Sequence, residues 1–264
     1  MGKGTENRAA FSDLYCINRF VIADCEMSES IEDILERNLN AVRHRIAVAA
    51  TRCGRSPQEI TMVAVTKYVD LSIIQGLLRL GQRILGESRP QQLWQRASEL
   101  REYDIEWHLI GPLQKNKVRK TLPIAAWIHS IDSLGLLEAV DRIAGELGVR
   151  PKLLLEVNVS GHPTKHGFRP EEMPSVIAQC PQYRHVTICG LMAMAGQEGD
   201  LEGARRDFRA LRELRDQLQE LMGEEVTLKE LSMGMSGDFE IAIEEGATIV
   251  RVGSALYEGL SLPL

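Results

Sequence analysis

The stretch Ile60-Thr61-Met62-Val63-Ala64-Val65-Thr66-Lys67-Tyr68 joins an apolar, partly β-branched run to an abrupt polar stop, and it reads as a buried strand. Asp70 follows as a helix-start signal, so the stretch opens a β-to-α unit. Side chains alternate along a strand, which puts Thr61, Val63, Val65 and Lys67 on one face and Ile60, Met62 and Ala64 on the other. Lys67 takes the last inward position, at the carboxyl end, where α/β folds bind ligands. An amine drawn out of water there gives up its proton more readily and becomes a nucleophile toward aldehydes. A solvated strand-end lysine fits this stretch equally well.

Outward from this unit the same alternation continues. Strands are expected over residues 60–67, 84–87, 106–111, 126–131, 152–160, 186–194, 227–232 and 248–253. Helices are expected between them over 70–80, 90–103, 114–121, 133–147, 170–180, 201–222 and 238–245. Eight β/α units in one chain of this length predict an α/β fold, a single (β/α)8 TIM-type barrel, rather than an open doubly wound sheet. No G-x-G-x-x-G follows the first strand, which removes the main support for a dinucleotide site. An N-terminal helix over 31–52 precedes the barrel, with Ser30 and Asp33 spaced as a capping box and Gly54 as its stop.

Residues 1–27 do not share this pattern. Asp13, Arg19 and Asp24 interrupt the mildly apolar run from Phe11 to Cys25, so it is neither a signal peptide core nor a membrane span. The expectation is a disordered extension over 1–27 and one domain over 28–264. With 264 residues, 44% hydrophobic and 26% charged, the chain can bury a large core. Its formal net charge of -6 argues against a nucleic-acid or membrane-surface binder. Five cysteines without C-x-x-C spacing suit a reducing compartment, so no disulfide, no zinc and a cytoplasmic location are expected.

Barrel closure would set the eighth strand beside the first and bring Arg251 close to Lys67. The loops after the last two strands, Ser232-Met233-Gly234-Met235-Ser236-Gly237 and Gly253-Ser254-Ala255, offer small residues, free amides and hydroxyls where barrels often hold phosphate. A strand-end lysine, an arginine and an anion cradle together suit a phosphorylated aldehyde, and pyridoxal 5′-phosphate is one. Glu156 and Asn158 alternate with Leu153, Leu155 and Val157 and are expected to point inward, near such a ligand; Met192 and Met194 are expected to fill the interior. His108 and His129 read as packed or lining groups, without a carboxylate spaced to complete a metal set. The loop 161–167 is polar, and its Lys165 is a second amine open to aldehydes. Arg205, Arg206, Arg209, Arg212 and Arg215, interleaved with acidic residues, read as a solvated helix face with intrahelical pairs.

Five ordered segments carry a resemblance: Ala64-Val65-Thr66-Lys67, Trp107-His108-Leu109-Ile110-Gly111-Pro112-Leu113-Gln114-Lys115-Asn116-Lys117, Gly190-Leu191-Met192-Ala193-Met194, Leu231-Ser232-Met233-Gly234-Met235-Ser236 and Val250-Arg251-Val252-Gly253. Over about residues 28 to 260 the chain resembles the pyridoxal-phosphate homeostasis protein family, itself similar to the N-terminal barrel of alanine racemase. The resemblance implies that Lys67 forms a Schiff base with pyridoxal 5′-phosphate, that Arg251 faces the pyridine nitrogen, and that Ser232 and the Gly253 and Ser254 amides hold the phosphate. Ser236, Asn158 and Met192 complete the expected cofactor contacts. The chain departs from the family at Gly86-Glu87-Ser88-Arg89, where Ser88 replaces an asparagine at shorter reach.

An arginine at the ring nitrogen stays protonated and donates, which weakens the ring as an electron sink. Racemisation also needs a second acid/base on the opposite face of the substrate, supplied in alanine racemase-like enzymes by a further domain. The expectation is therefore a monomeric cofactor-holding protein with no catalytic residue and no metal, which buffers or delivers pyridoxal 5′-phosphate to PLP-dependent apoenzymes. An amino-acid racemase is the alternative, and a sugar-phosphate enzyme using Lys67 is the third class.

Overall fold

A computed structural model describes Met1 and residues 29–162, 166–196, 200–223 and 226–261. The expected 1–27 extension, apart from Met1, and Lys165 lie outside the described residues. Ser30 caps α1 (Ile31–Arg52): its hydroxyl accepts from Asp33 N at 3.1 Å, and Asp33 accepts from Ser30 N at 3.1 Å. This capping box satisfies amides that the first helical turn leaves free.

Eight parallel strands follow: β1 (Thr61–Val65), β2 (Ile84–Glu87), β3 (Glu106–Leu109), β4 (Ala125–Ile131), β5 (Lys152–Glu156), β6 (Thr187–Met192), β7 (Glu230–Ser232) and β8 (Ile249–Val252). They pair in sequence order and close, with β8 beside β1. Helices α2 (Leu71–Arg79), α3 (Pro90–Glu99), α4 (Val118–Thr121), α5 (Leu134–Leu147), α6 (Met173–Ile177), α7 (Leu201–Met222) and α8 (Phe239–Glu244) alternate with the strands. This is the (β/α)8 barrel that the alternation predicts.

Strand periodicity divides the core into two layers. Ala64, Leu85, Leu109, Ile128, Leu153 and Val250 face outward and pack under the helices. Val63, Trp127, Leu154, Met192 and Ile249 face inward and fill the barrel. Outside, α1 buries Leu35, Leu39, Val42 and Ile46 as it packs on α2 and α8, the helices that flank β1 and β8. Asn38 fastens the chain end to it, donating to Leu256 O at 3.2 Å and Glu258 O at 2.8 Å.

Several elements are shorter than the periodicity predicts. β1 ends at Val65, because the last ladder bond runs from Thr66 N to Gly86 O at 3.0 Å, and Lys67 stands in the turn beyond it. β5 ends at Glu156 and β7 begins only at Glu230. The helix expected over 170–180 breaks into a 3-10 turn, Pro170–Glu172, followed by α6. A second 3-10 turn, Cys180–Gln182, follows with Pro181 inside it. Among the described residues no helix is long and apolar enough to cross a membrane.

Candidate functional site

Toward the carboxyl ends of the strands the inward face carries Arg251 and Glu156. Arg251 follows Ile249 inward on β8, in register with Val63 of β1, and is only 4% exposed. Its Nη1 donates to Ser232 Oγ at 2.6 Å and its Nη2 to Ala193 O at 3.1 Å. Burial pushes its pKa down to about 10, while the Asp238 and Glu156 carboxylates oppose that fall. The guanidinium therefore remains charged at neutral pH. Glu156 lies inward on β5, and burial, with Asp132 adding to it, raises its carboxyl against the pull of His166 and Arg251. Burial likewise raises Asp238, against the hydrogen bond that it accepts from Met235 N at 2.6 Å.

Lys67, in the turn just past β1, is half-buried. Its Nζ lies 4.7 Å from the centre of the Tyr68 ring, and its carbonyl accepts from Gln92 Nε2 at 2.9 Å. An open cleft of about 690 Å³ has Lys67, Tyr68, Ser88, Arg89 and Lys117 on its walls, which brings Ser88 to the same opening as Lys67. Beneath it Glu87 is fully buried, accepting from Thr66 Oγ1 at 2.6 Å and pairing with Arg96 Nε at 3.3 Å. Burial raises the Glu87 carboxyl; Thr66, Arg96 and Lys67 oppose it.

Just past β8, the strand beside β1, the amides of Gly253 and Ala255 both donate to Ser236 Oγ, at 3.0 and 3.3 Å. The hydroxyl and the start of the 3-10 turn Ser254–Leu256 thus converge on one point, with Ser254 exposed above it. An anion that took the place of the hydroxyl oxygen would meet these amides as donors. A primary amine, a buried guanidinium and this cradle at one end of the barrel match an aldehyde, a basic ring nitrogen and a phosphate.

Several side chains have surroundings other than those expected. Ser232 is fully buried, and its hydroxyl accepts from Arg251 and lies 2.9 Å from His129 Nδ1, which orients the guanidinium. Asn158 stands beyond the end of β5, where the turning chain needs partners: its Nδ2 donates to His162 O at 2.9 Å and its Oδ1 accepts from Ser160 Oγ at 3.1 Å. Met192 fills the interior at 1% exposure, whereas Met194, past the strand, is 42% exposed. Arg215 pairs within α7, with Asp216 at 2.6 Å, but three other arginines of this helix reach across to the end of α8. Arg205, Arg209 and Arg212 converge on Glu245, at 3.1, 3.0 and 2.9 Å, and Arg205 also meets Glu244 at 2.7 Å.

Sequence reasoning missed the connection between the two interior histidines. His108 and His129 are fully buried, as packed groups would be, and His108 Nδ1 lies 2.9 Å from His129 Nε2. His108 Nε2 lies 3.0 Å from Glu106 Oε1, which also accepts from Trp127 Nε1 at 3.1 Å. The available signal was parity: Glu106 and His108 alternate with Trp107 and Leu109, and both of the latter pack outward. Among the described residues no group of three or more His, Cys, Asp or Glu is arranged to hold a metal.

The model of the alanine racemase N-terminal domain family matches residues 37–261. The pyridoxal phosphate homeostasis protein of Aquifex aeolicus is 38% identical over 219 residues, which is 83% of this chain and 95% of that one. The Escherichia coli K12 protein of the same name is 35% identical over 229 residues, covering 84% and 95%. The solved structure of PipY from Synechococcus elongatus PCC7942, with PLP bound, is 36% identical and matches with a TM-score of 0.75 over 84% of this chain and 99% of that one. An alanine racemase from Clostridium difficile 630 shares the fold, at 17% identity and a TM-score of 0.66.

Proposed function

The chain belongs to the pyridoxal phosphate homeostasis protein family, and from that premise we propose that it binds pyridoxal 5′-phosphate and buffers or delivers it within the cell. One observation carries the reading: a half-buried lysine just past β1, a buried guanidinium on the adjacent β8 and a hydroxyl-bridged pair of amides just past β8 sit at the same end of one barrel. Lys67 is the residue that holds the cofactor, through a Schiff base to its aldehyde. Arg251 meets the pyridine nitrogen, and Ser236 with the Gly253, Ser254 and Ala255 amides takes the phosphate. Ser88 and Met192 line the site. Residues 28–264 form the binding domain, 1–27 an extension, and the working unit is a cytoplasmic monomer with PLP-dependent apoenzymes as recipients.

Bound, the cofactor supplies an electrophilic aldehyde and an electron-withdrawing ring. Arg251 restrains the second property: a charged guanidinium has only donors, so the ring nitrogen accepts and carries no proton of its own. That favours holding over carbanion chemistry, in keeping with relatives named for homeostasis.

The test is a titration of the full chain with pyridoxal 5′-phosphate, followed near the violet edge of the spectrum. Borohydride reduction should then fix one cofactor on the peptide containing Lys67, and Lys67→Ala should lose both band and label while melting as wild type does. Absence of uptake overturns the reading, and a label confined to another lysine overturns the assignment of Lys67. Sustained loss of enantiomeric excess from L-alanine by the loaded protein would replace the holder with a racemase.

A further inference from the structure

Inside the barrel a file of hydrogen bonds crosses from one end to the other. It starts at Glu106, the first residue of β3, whose side chain is 44% exposed at the amino-terminal mouth. It passes to His108 Nε2 at 3.0 Å, from His108 Nδ1 to His129 Nε2 at 2.9 Å, from His129 Nδ1 to Ser232 Oγ at 2.9 Å, and from Ser232 Oγ to Arg251 Nη1 at 2.6 Å. Four strands contribute: β3, β4, β7 and β8.

The chemistry of the two ends fixes the direction of every bond between them. A guanidinium has donors only, so Ser232 Oγ accepts from Arg251. An ionised carboxylate has acceptors only, and the His108 hydrogen bond holds the Glu106 carboxyl below its usual range despite partial burial. His108 must then donate from Nε2. A neutral imidazole carries one N–H, so His108 Nδ1 accepts, His129 donates from Nε2, and His129 Nδ1 accepts the Ser232 hydroxyl proton. Burial holds both rings neutral; His108 and Arg251 press His129 further in the same direction, while Glu106 pulls the other way on His108. One assignment satisfies all the bonds, with both protons on Nε2.

We propose that Glu106 is a positioning residue for the ligand site: through His108, His129 and Ser232, its carboxylate fixes which lone pair meets Arg251, 145 positions along the chain and at the other end of the barrel. The charge on Glu106 selects the His108 tautomer, that tautomer selects the one at His129, and His129 commits the Ser232 proton away from the guanidinium. The consequence for the pyridine ring rests on the reading of Arg251 above; the tautomers do not.

Nitrogen-15 NMR of the full chain labelled at histidine, without added ligand, tests the relay. Wild type should show His108 and His129 as neutral rings protonated at Nε2. In Glu106→Gln the amide can donate as well as accept, so both rings should gain the Nδ1-protonated form together. Glu230→Gln is the control: its carboxylate also starts a strand at the amino-terminal mouth but binds Thr248 Oγ1 at 2.6 Å, so both rings should stay as in wild type. A charged or Nδ1-protonated His129 in wild type overturns the relay, as does a His129 that stays unchanged while His108 shifts in Glu106→Gln. The absorption band with pyridoxal 5′-phosphate should also move in Glu106→Gln. Coupled tautomers in a protein that takes up no pyridoxal 5′-phosphate would support the relay and overturn the proposed function alone.

Discussion

Arg251 and Ser232 meet at 2.6 Å inside the barrel, in a bond that joins the ligand face to the buried histidines. Ser232→Ala leaves Arg251 with Ala193 O and strips His129 Nδ1 of its partner. Losing a hydrogen bond to a charged group while stranding a buried acceptor should cost about 2 kcal/mol in urea unfolding. Affinity for pyridoxal 5′-phosphate should weaken as well, because the guanidinium is less firmly aimed. A variant as stable as wild type would mean that the hydroxyl does not hold Arg251.

Glu245, at 4% exposure, gathers Arg205, Arg209 and Arg212 from α7. Burial works against its ionisation, but hydrogen bonds from Arg209 and Arg205 prevail and hold the carboxyl below its ordinary 4.5. A depressed carboxylate contributes stability that is present above its unfolded pKa and lost as the pH falls through the folded value. Glu245→Gln should lower unfolding stability by about 2 kcal/mol at neutral pH, and the difference from wild type should shrink on acidification toward about pH 3. Equal urea midpoints at neutral pH would make the cluster a surface decoration.

Both interior histidines titrate below the ordinary 6.5 in the folded chain, chiefly because burial disfavours the charged ring. Below that pH the unfolded chain takes up protons that the folded one refuses. Stability should therefore be flat in this respect above about pH 6.5 and fall below it, by at most about 1.4 kcal/mol per pH unit for each ring. Urea midpoints measured at about pH 7.5 and about pH 5.5 should differ in wild type and differ less in His129→Asn. Identical slopes in the two proteins would assign the acid sensitivity elsewhere.

Gly190, in β6, lies against β7 so closely that a Cβ there would collide with the carbonyl oxygen of Glu230. The obstacle is backbone, which cannot swing aside. Gly190→Ala should lower the melting temperature sharply, whereas Gly148→Ala, at φ 66° with open space around it, should cost only about 1 kcal/mol. Similar melting curves for the two variants would show that β6 and β7 can part.

Local chemistry was enough for the sequence alone to determine the (β/α)8 alternation, the 31–52 helix with its Ser30 cap, and the inward parity of Glu156 and Arg251. Each follows from a period of two or 3.6 residues, or from side chains reaching their own backbone. Tertiary structure decided the partners. Ser232 meets Arg251 and His129 because barrel closure and strand stagger set three different strands at one level, and no local pattern encodes that level. Register shifts also reset the alternation: between Ile128 and Ile131 of β4 the phase slips, so His129 faces the interior while Ile131, two residues on, packs outward. The α7 arginines read as an ordinary solvated face for the same reason, since the carboxylate that gathers them lies just past the end of α8 and is brought to them only by the packing of two helices.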